Sequence, residues 1–377
     1  MARQLKIAFF GSSLVSAYWN GAATYFRGVI RELHERGHDV TFYEPNAFER
    51  QQHRDLEVVP YARSVVYEVD PDRRGLDQAL ESAAGADVVI KASGVGVYDA
   101  ILEHAILDLS PDQVRVLWDV DAPATLARMQ EDPDDPLRSW VPQYDYVFTY
   151  GGGEPVVGAY EALGARQCVP IYNAFDPTTH YPVEREARFD VSLAFAGNRL
   201  PDREARVQEV FFGAASRAPR EFFLLAGSGW HENVPHLENV RHWGHLYTKD
   251  HNAFNRSARA VLNVCRDNMA SNGFSPPTRI FEAAGAGACL ITDEWEGIEQ
   301  FLEPGHECLV ARNGAEVAEL LQDLTPETSE LIGQRALKRV LAEHTYAHRA
   351  AWVETLLAEA SYGVLSSHQK EPTAMGI

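Results

Sequence analysis

The sequence predicts an α/β protein built from two doubly wound parallel sheets. Short apolar segments alternate with amphipathic segments of helical period along most of the chain, and this alternation is typical of parallel strands joined by helices. Two of the apolar segments, 5–10 and 191–196, run directly into a glycine, Gly11 and Gly197. A loop-rich stretch with three prolines, residues 170–182, separates the two series. We therefore predict two domains of similar construction.

The first series begins with the strand at 5–10 and continues with an amphipathic helix over about 21–36. Its other predicted strands are 40–43, 88–90, 114–118 and 146–149. In the second series, the predicted strands are 191–196, 222–226, 260–264 and 288–292. The chain then has a helical pattern from Glu327 to Ala360, and its polar end, residues 366–377, is predicted to be a flexible tail.

Composition sets limits on the class of protein. The 377 residues are enough for two domains, and 45% hydrophobic with 23% charged residues is typical of a soluble globular protein. A net charge of −20 opposes binding to nucleic acid or to an anionic membrane surface. No apolar run approaches the roughly 20 residues that span a bilayer, and the N-terminal residues lack the core of a signal peptide.

Cysteine usage points to a reducing compartment. The four cysteines, Cys168, Cys265, Cys289 and Cys308, are scattered without metal-like spacing, and three of the four lie in apolar, strand-like segments. We interpret them as reduced core residues and expect a cytoplasmic protein. The oligomeric state stays open.

The stretch 272–292 carries the strongest local signal. Ser275 suits a helix N-cap, and Pro276 suits the first helical position, where its missing N–H costs nothing. Gly285 and Gly287 would end a helix of about two turns and lead into the strand at 288–292.

The same helix has the chemistry of a phosphate site. Its N-terminus offers free amides and partial positive charge. Arg279 adds a full positive charge in the first turn, and Glu282 lies one turn further on, where it can reach a sugar hydroxyl. A diphosphate with a carboxylate beside it is what a nucleotide-sugar site needs. The alternative is a buried helix–strand unit of an ordinary α/β domain.

Residues 263–310 resemble the donor-binding half of GT-B glycosyltransferases, and more narrowly the bacterial spore maturation (CgeB-type) family. The resemblance is carried by an ordered series of three segments: Ser275–Glu282, Gly287–Asp293 and Gly297–Phe301. It implies two Rossmann-like domains with an interdomain cleft, with Asp176 in the connector between them.

The resemblance also implies how the domains divide the work. Residues 1–172 would bind the acceptor and residues 173–345 the nucleotide sugar. The last helix, about 346–365, would cross back onto the first domain.

Loops that follow the strands of the second domain supply further candidates. Gly197, Asn198, Arg199 and Arg203 form a strand–helix junction that resembles a diphosphate clamp, because the planar guanidinium grips phosphate oxygens bidentately. The alternative is a solvated turn with an ion pair between Asp202 and Arg203.

Arg266 follows a buried strand directly, where a cation is costly unless it is paired or meets a ligand. The resemblance implies a place near the donor, whereas an ion pair with Asp267 or Glu294 is the alternative. The resemblance also implies nucleobase contacts from His245 or Tyr247, although ordinary packing is the alternative for both. Phe274, Ser275 and Thr278 complete the predicted donor-binding set, with Arg279 and Glu282.

One position departs from the family pattern. Many retaining GT-B enzymes carry a second glutamate eight positions before the one that Glu282 matches, and Phe274 stands there instead. The donor sugar and the stereochemical outcome therefore stay open. The backbone amides of residues 273–275 offer other contacts to the sugar.

In the first domain, three loops are candidates for acceptor chemistry. Ser12 and Ser13 follow the first strand, and Tyr18 and Trp19 supply aromatic surface, without the Gly-x-Gly-x-x-Gly spacing of a dinucleotide site. A run of three glycines, Gly151, Gly152 and Gly153, opens a helix and allows close backbone approach.

The third loop carries two carboxylates, Asp119 and Asp121, after a buried strand. One of them can orient the acceptor hydroxyl or take its proton, so both are candidate catalytic residues. The alternative is an N-cap at the helix entry marked by Pro123.

Together with these residues, the resemblance implies a glycosyltransferase of hexosyltransferase-like type. It would move a sugar from a nucleotide diphosphate donor to an unidentified small-molecule or glycan acceptor. We expect no metal and no cofactor, because no histidine or carboxylate cluster has metal-ligand spacing; arginines and a helix dipole would neutralise the leaving diphosphate. Retention of configuration is implied by the resemblance alone. Two alternatives stay open, namely a nucleotide-sugar epimerase and a non-catalytic nucleotide-sugar-binding protein.

Overall fold

The computed structural model describes residues 3–18, 20–230, 232 and 234–368. These residues form two separate sheets, and every strand pair in both is parallel. The chain divides into two units: the first comprises the chain up to Tyr172 together with the segment from Tyr346, and the second is Asn173–Thr345.

The first unit has a seven-stranded sheet of order β3-β2-β1-β4-β5-β6-β7. Its strands are β1 (Lys6–Phe10), β2 (Asp39–Asn46), β3 (Arg63–Glu68), β4 (Val88–Ala92), β5 (Val114–Asp119), β6 (Tyr146–Thr149) and β7 (Cys168–Pro170). The helices between them are α1 (Ala23–Glu35), α2 (Arg74–Ala83), α3 (Asp99–Ala105), α4 (Ala122–Glu131), α5 (Leu137–Trp140) and α6 (Gly153–Ala162).

The second unit has a six-stranded sheet of order β10-β9-β8-β11-β12-β13. Its strands are β8 (Leu193–Ala196), β9 (Phe223–Ala226), β10 (Val240–Gly244), β11 (Ala260–Asn263), β12 (Leu290–Asp293) and β13 (Leu309–Ala311). Its helices are α7 (Pro201–Val207), α8 (Gly213–Arg217), α9 (His251–Ser257), α10 (Asp267–Asn272), α11 (Thr278–Gly285), α12 (Gly314–Asp323) and α13 (Pro326–Glu343), and a π-helix, Gln208–Phe212, joins α7 to α8.

The strand orders locate the expected ligand positions in each unit. In the first sheet the order reverses direction between β1 and β4, and in the second between β8 and β11. Open parallel sheets bind ligands beyond the carboxyl ends of the strands at such reversals, because the helices on either side diverge there. The loops after β1 and β8, which begin at Gly11 and Gly197, are therefore placed for binding.

The last helix, α14 (Tyr346–His368), belongs to the first unit and packs on α1. A Cβ on Gly28 of α1 would lie 2.3 Å from the ring of Tyr346, so the two helices approach as closely as a glycine permits. Arg36 at the end of α1 pairs with Glu354 at 2.5 Å. The helix runs three residues into the predicted tail, and residues 369–377 of that tail lie outside the described part of the chain.

All nine predicted strands are present, and the structure adds four more: β3, β7, β10 and β13. The predicted helix over 21–36 is α1. All four cysteines are free and buried. In the described part of the chain, none of the helices has the length and apolar character needed to cross a bilayer.

The predicted start of the helix at Ser275 is wrong. Helix α11 begins at Thr278, and Pro277, in an extended conformation, occupies the N-cap position. Two consecutive prolines explain the difference, since the residue before a proline is disfavoured in the helical region and Pro276 precedes Pro277. At the other end, the helix stops at Gly285, and Gly287 takes the left-handed conformation with φ +73°.

Candidate functional site

A cavity of about 340 Å³ lies in the second unit, at the carboxyl ends of β8, β9 and β10. Its walls come from the loops after these strands and from helices α7, α9 and α11. The lining residues are Ala196, Gly197, Asn198, Leu200, Arg203, Gly227, His245, Leu246, His251, Asn255, Arg279 and Glu282.

Arg203 enters this cavity from α7 and is only 9% exposed. One of its terminal nitrogens donates to the Asn198 carbonyl at 2.5 Å, while its buried Nε has no hydrogen-bond partner among the described residues. Burial lowers the pKa of the Arg203 guanidinium to about 10, and repulsion from Arg279 adds to this effect. The side chain is thus a buried cation with little compensation from the protein.

Arg279, in the first turn of α11, lines the same cavity. Its guanidinium lies 5.4 Å from the centre of the Phe195 ring, and that of Arg203 lies 5.7 Å from the same ring. Within the part of the chain that the structure describes, Arg279 makes no ion pair or hydrogen bond. Burial lowers its pKa, and Glu282 offsets part of that shift. Two guanidinium groups that share one ring without a carboxylate of their own form an arrangement that suits an anionic ligand.

Glu282 lies one turn beyond Arg279 on α11 and also lines the cavity. Its carboxylate is 3.7 Å from Nε2 of His180. His251, at the start of α9, has its pKa lowered by burial, with a partial offset from Glu282, and its ring donates to the Leu246 carbonyl. The carboxylate therefore sits beside two imidazoles, with oxygens that can accept from sugar hydroxyls.

Backbone packing shapes the floor of the cavity. Gly227 follows β9 with φ +120°, and a Cβ there would lie 2.2 Å from the Gly197 carbonyl oxygen. A Cβ on Gly197 would in turn lie 2.8 Å from a terminal nitrogen of Arg203. Only glycine permits this approach of the two loops.

Replacing Gly227 with alanine is expected to destabilise the second unit by about 2–4 kcal/mol and to displace the Gly197 loop, because left-handed strain and a backbone clash add together. Urea unfolding would measure the change. Gly244→Ala is the matched control, since Gly244 also has a positive φ, +81°, but a Cβ on it would meet none of the described residues within 4 Å. Equal losses in the two variants would contradict the proposed clash.

Two predicted arginines do not line the cavity, and both form ion pairs. Arg199 pairs with Glu204 and also donates to the carbonyls of Gly229 and Glu232. Arg266 pairs with Asp202 at 2.6 Å. The partners predicted as alternatives for these loops are therefore wrong: Asp202 meets Arg266 rather than Arg203, and Arg266 meets neither Asp267 nor Glu294. Because Asp202 and Arg266 lie 64 residues apart in the sequence, no local pattern indicates this pair.

The remaining predicted donor residues are spread around the cavity. His245 lines the cavity and packs edge-on against the Tyr247 ring, with the two ring centres 4.6 Å apart. Tyr247 itself is 62% exposed and does not line the cavity. Phe274 has φ +46° and its N–H donates to the Glu296 carbonyl at 2.6 Å, so that amide is already engaged. Ser275 is buried, and Thr278 Oγ1 accepts from Asn173 at 2.5 Å; both also lie outside the lining.

Sequence reasoning missed His251 and Asn255, which line the cavity from α9. They lie four residues apart and so share one face of the helix. That spacing of two polar residues on a short helix after a predicted ligand loop is the signal that was available.

A second cavity, of about 450 Å³, lies in the first unit. Among the predicted residues, Ser12, Asp119 and Asp121 line it. Further lining residues that carry polar side chains are Asn20, Arg50, Ser93, Asp99, Glu103, Thr125 and Arg128. The buried Lys91 pairs with Asp99 at 2.7 Å and with Glu103 at 3.0 Å.

The two candidate catalytic aspartates have different surroundings. Asp119 ends β5 and is fully buried; one of its oxygens accepts from the Tyr160 hydroxyl at 2.5 Å and the other from the Asp121 N–H at 3.0 Å. Burial and the Asp119 carboxylate together raise the pKa of Tyr160, which keeps that hydroxyl protonated as a donor. Asp121 is exposed at the N-cap position of α4, yet its side chain makes no capping hydrogen bond.

The other predicted acceptor residues that the structure describes do not line this cavity. Ser13 is fully buried and its hydroxyl accepts from the Ser16 N–H. Tyr18 stacks on His53, with ring centres 4.1 Å apart. Gly151, Gly152 and Gly153 lead into α6 and are buried, and Trp19 lies outside the described residues. Across the described residues, no group of three or more His, Cys, Asp or Glu side chains is arranged to hold a metal ion.

Comparisons with known proteins agree with this architecture. Residues 203–356 match the sequence profile of a family described as glycosyl transferase-like. No curated protein matches the chain in sequence.

Solved structures share the fold across most of the chain. Sucrose-phosphate synthase from Thermosynechococcus elongatus is 15% identical, with a TM-score of 0.66 over 96% of this chain and 100% of that one. HepE of Anabaena in complex with UDP and glucose is 14% identical, with a TM-score of 0.64 over 94% and 100%. T4 phage BGT in complex with its UDP-glucose substrate is 13% identical, with a TM-score of 0.54 over 96% and 99%.

At these identities the similarity establishes the fold, and the family match covers the segment that carries the arginine cavity from Arg203 onwards. The chain therefore has the α/β fold of GT-B glycosyltransferases, with two Rossmann-like parallel sheets, and its residues 203–356 carry the glycosyl transferase-like family pattern.

Proposed function

We propose that this protein is a glycosyltransferase that moves a sugar, of hexose type, from a nucleoside diphosphate to an acceptor hydroxyl or amine. The observation that carries the proposal is the pair Arg203 and Arg279. These two buried or partly buried guanidinium groups share one cavity and have no carboxylate partner among the described residues. A diphosphate supplies the anionic oxygens that such a pair can hold bidentately.

The chemistry follows from the charges. As the bond between the anomeric carbon and the diphosphate oxygen breaks, its electron pair stays on the diphosphate, and the two guanidinium groups stabilise that developing charge. This task requires no metal, so we propose metal-independent transfer. Glu282, one turn further along α11, accepts hydrogen bonds from the ribose hydroxyls.

The acceptor is proposed to bind in the cavity of the first unit. Asp121 is exposed at its rim and orients the acceptor hydroxyl, whose oxygen forms the new bond to the anomeric carbon while its proton passes to the carboxylate. Asp119, with both oxygens already accepting hydrogen bonds, holds the Asp121 backbone in place.

Three finer points rest on resemblance. The spore maturation (CgeB-type) family is proposed from the Ser275–Glu282 segment, and retention of configuration from the enzymes that share it. A uridine donor is proposed because the structures of HepE and T4 phage BGT contain UDP or UDP-glucose.

Incubation with a panel of nucleoside diphosphate sugars tests the proposal. We expect slow release of free nucleoside diphosphate from one donor, because water replaces the missing acceptor. The rate of release is expected to be the same with and without EDTA. A changed sugar on an intact nucleotide would instead indicate an epimerase. Binding without either change would indicate a non-catalytic nucleotide-sugar-binding protein.

A further inference from the structure

Asn255 is a buried residue whose side-chain amide has no hydrogen-bond partner in the described part of the chain. It lies on α9, is 8% exposed and lines the cavity of the second unit. Its side chain makes no hydrogen bond to any residue that the structure describes. Neither amide atom of Asn255 is among the fully enclosed polar atoms that lack a partner, so the unpaired amide opens to the cavity, where a ligand can complete its hydrogen bonds.

The residues next to Asn255 show which face of α9 lines the cavity. His251, one turn earlier, lines the same cavity and is tied to the Leu246 carbonyl. Asn252, which lies between them, is directed elsewhere and donates to the Thr179 carbonyl at 2.9 Å. The face of α9 that carries residues 251 and 255 is therefore the face that lines the cavity.

The position within the cavity indicates which part of a donor is nearby. Arg203 and Arg279 flank Phe195, whereas His251 of α9 interacts with Glu282, one turn further along α11. In the proposed function the two arginines bind the diphosphate and Glu282 binds the ribose, so α9 lies on the nucleoside side of the cavity.

We propose that Asn255 hydrogen-bonds the nucleobase of the donor and determines which base is accepted. This inference rests on the proposed function. An amide presents a donor and an acceptor side by side, and the edge of a base such as uracil presents the complementary N–H and C=O. A diphosphate offers only acceptors and leaves the amide oxygen of Asn255 without a donor.

Calorimetric titration of the full chain with UDP, CDP, GDP, ADP and inorganic pyrophosphate tests the inference. The wild type is expected to bind the four nucleotides with different affinities. Asn255→Ala is expected to weaken binding of the preferred nucleotide by about tenfold and to reduce the differences in affinity among the four. Pyrophosphate affinity is expected to stay unchanged. Asn252→Ala, a substitution of the same residue type on the same helix, is the control and is expected to preserve the ranking.

Other outcomes overturn the inference. If Asn255→Ala weakens all four nucleotides by one common factor, the residue contacts the ribose or only supports the fold. An equal loss for pyrophosphate would place it at the diphosphate, and unchanged affinities would remove it from the site. Failure of the wild type to bind any nucleotide would instead contradict the proposed function itself.

Discussion

Arg279→Ala is expected to lower the kcat/KM for sugar transfer by about 100- to 1,000-fold while leaving the protein folded. The loss follows because one of the two cations on the leaving diphosphate disappears. Folding is expected to gain by about 1 kcal/mol, since the variant no longer buries an uncompensated charge beside Arg203. Steady-state kinetics measure the loss of kcat/KM. Thermal unfolding with and without UDP measures stability and binding, with a higher Tm expected for the free variant and a smaller upward shift in Tm on adding UDP.

Two further variants separate charge from geometry. Arg279→Lys keeps the charge but loses the bidentate fork, so it is expected to recover only part of the activity. Arg220→Ala removes an exposed arginine from the loop between α8 and β9 and is expected to change neither Tm nor UDP binding. If Arg279→Ala lowered Tm and left the UDP-induced shift intact, Arg279 would be a structural residue.

Asp121→Asn is expected to reduce kcat by about 100-fold or more without changing UDP affinity, because a general base typically contributes 10²–10⁴-fold and the donor binds in the other unit. Amide and carboxylate have the same size, so the substitution removes proton acceptance with little effect on packing. Steady-state kinetics at saturating donor and calorimetric titration with UDP measure the two quantities separately.

The companion substitution Asp119→Asn is expected to lower the free energy of unfolding, since the buried Asp119 accepts hydrogen bonds from both Tyr160 and the Asp121 backbone. Asp134→Asn, at an exposed position outside the cavity, serves as the control. Wild-type turnover in Asp121→Asn would remove this residue from the chemistry, and loss of UDP binding in the same variant would show that it acts on the donor.

The central strands were predictable from the sequence, and the edge strands were not. A central strand such as β4 (Val88–Ala92) is buried on both faces, and its first three residues, 88–90, are all apolar. The four strands that the prediction omitted are the four sheet edges, β3, β7, β10 and β13. Edge strands are hydrogen-bonded on one side only and need less apolar sequence; β10, for example, carries an exposed arginine and histidine.

In the candidate site too, the placement of residues within one helix could be predicted from the sequence, and contacts between distant segments could not. Arg279 and Glu282 lie on one short helix, so their spacing alone placed them on neighbouring turns. The pairing of Arg266 with Asp202 joins positions 64 residues apart, and the ion pair of Arg199 depends on where α7 begins. The spacing of His251 and Asn255 places them on one face of α9, but which face lines the cavity depends on the packing of that helix in the second unit.

A crystal structure of the protein with UDP is the most direct test of the central claim. We predict diphosphate oxygens within about 3 Å of guanidinium nitrogens of both Arg203 and Arg279, with the ribose beside Glu282. A diphosphate bound elsewhere, with both arginines left without contact to it, would contradict this assignment.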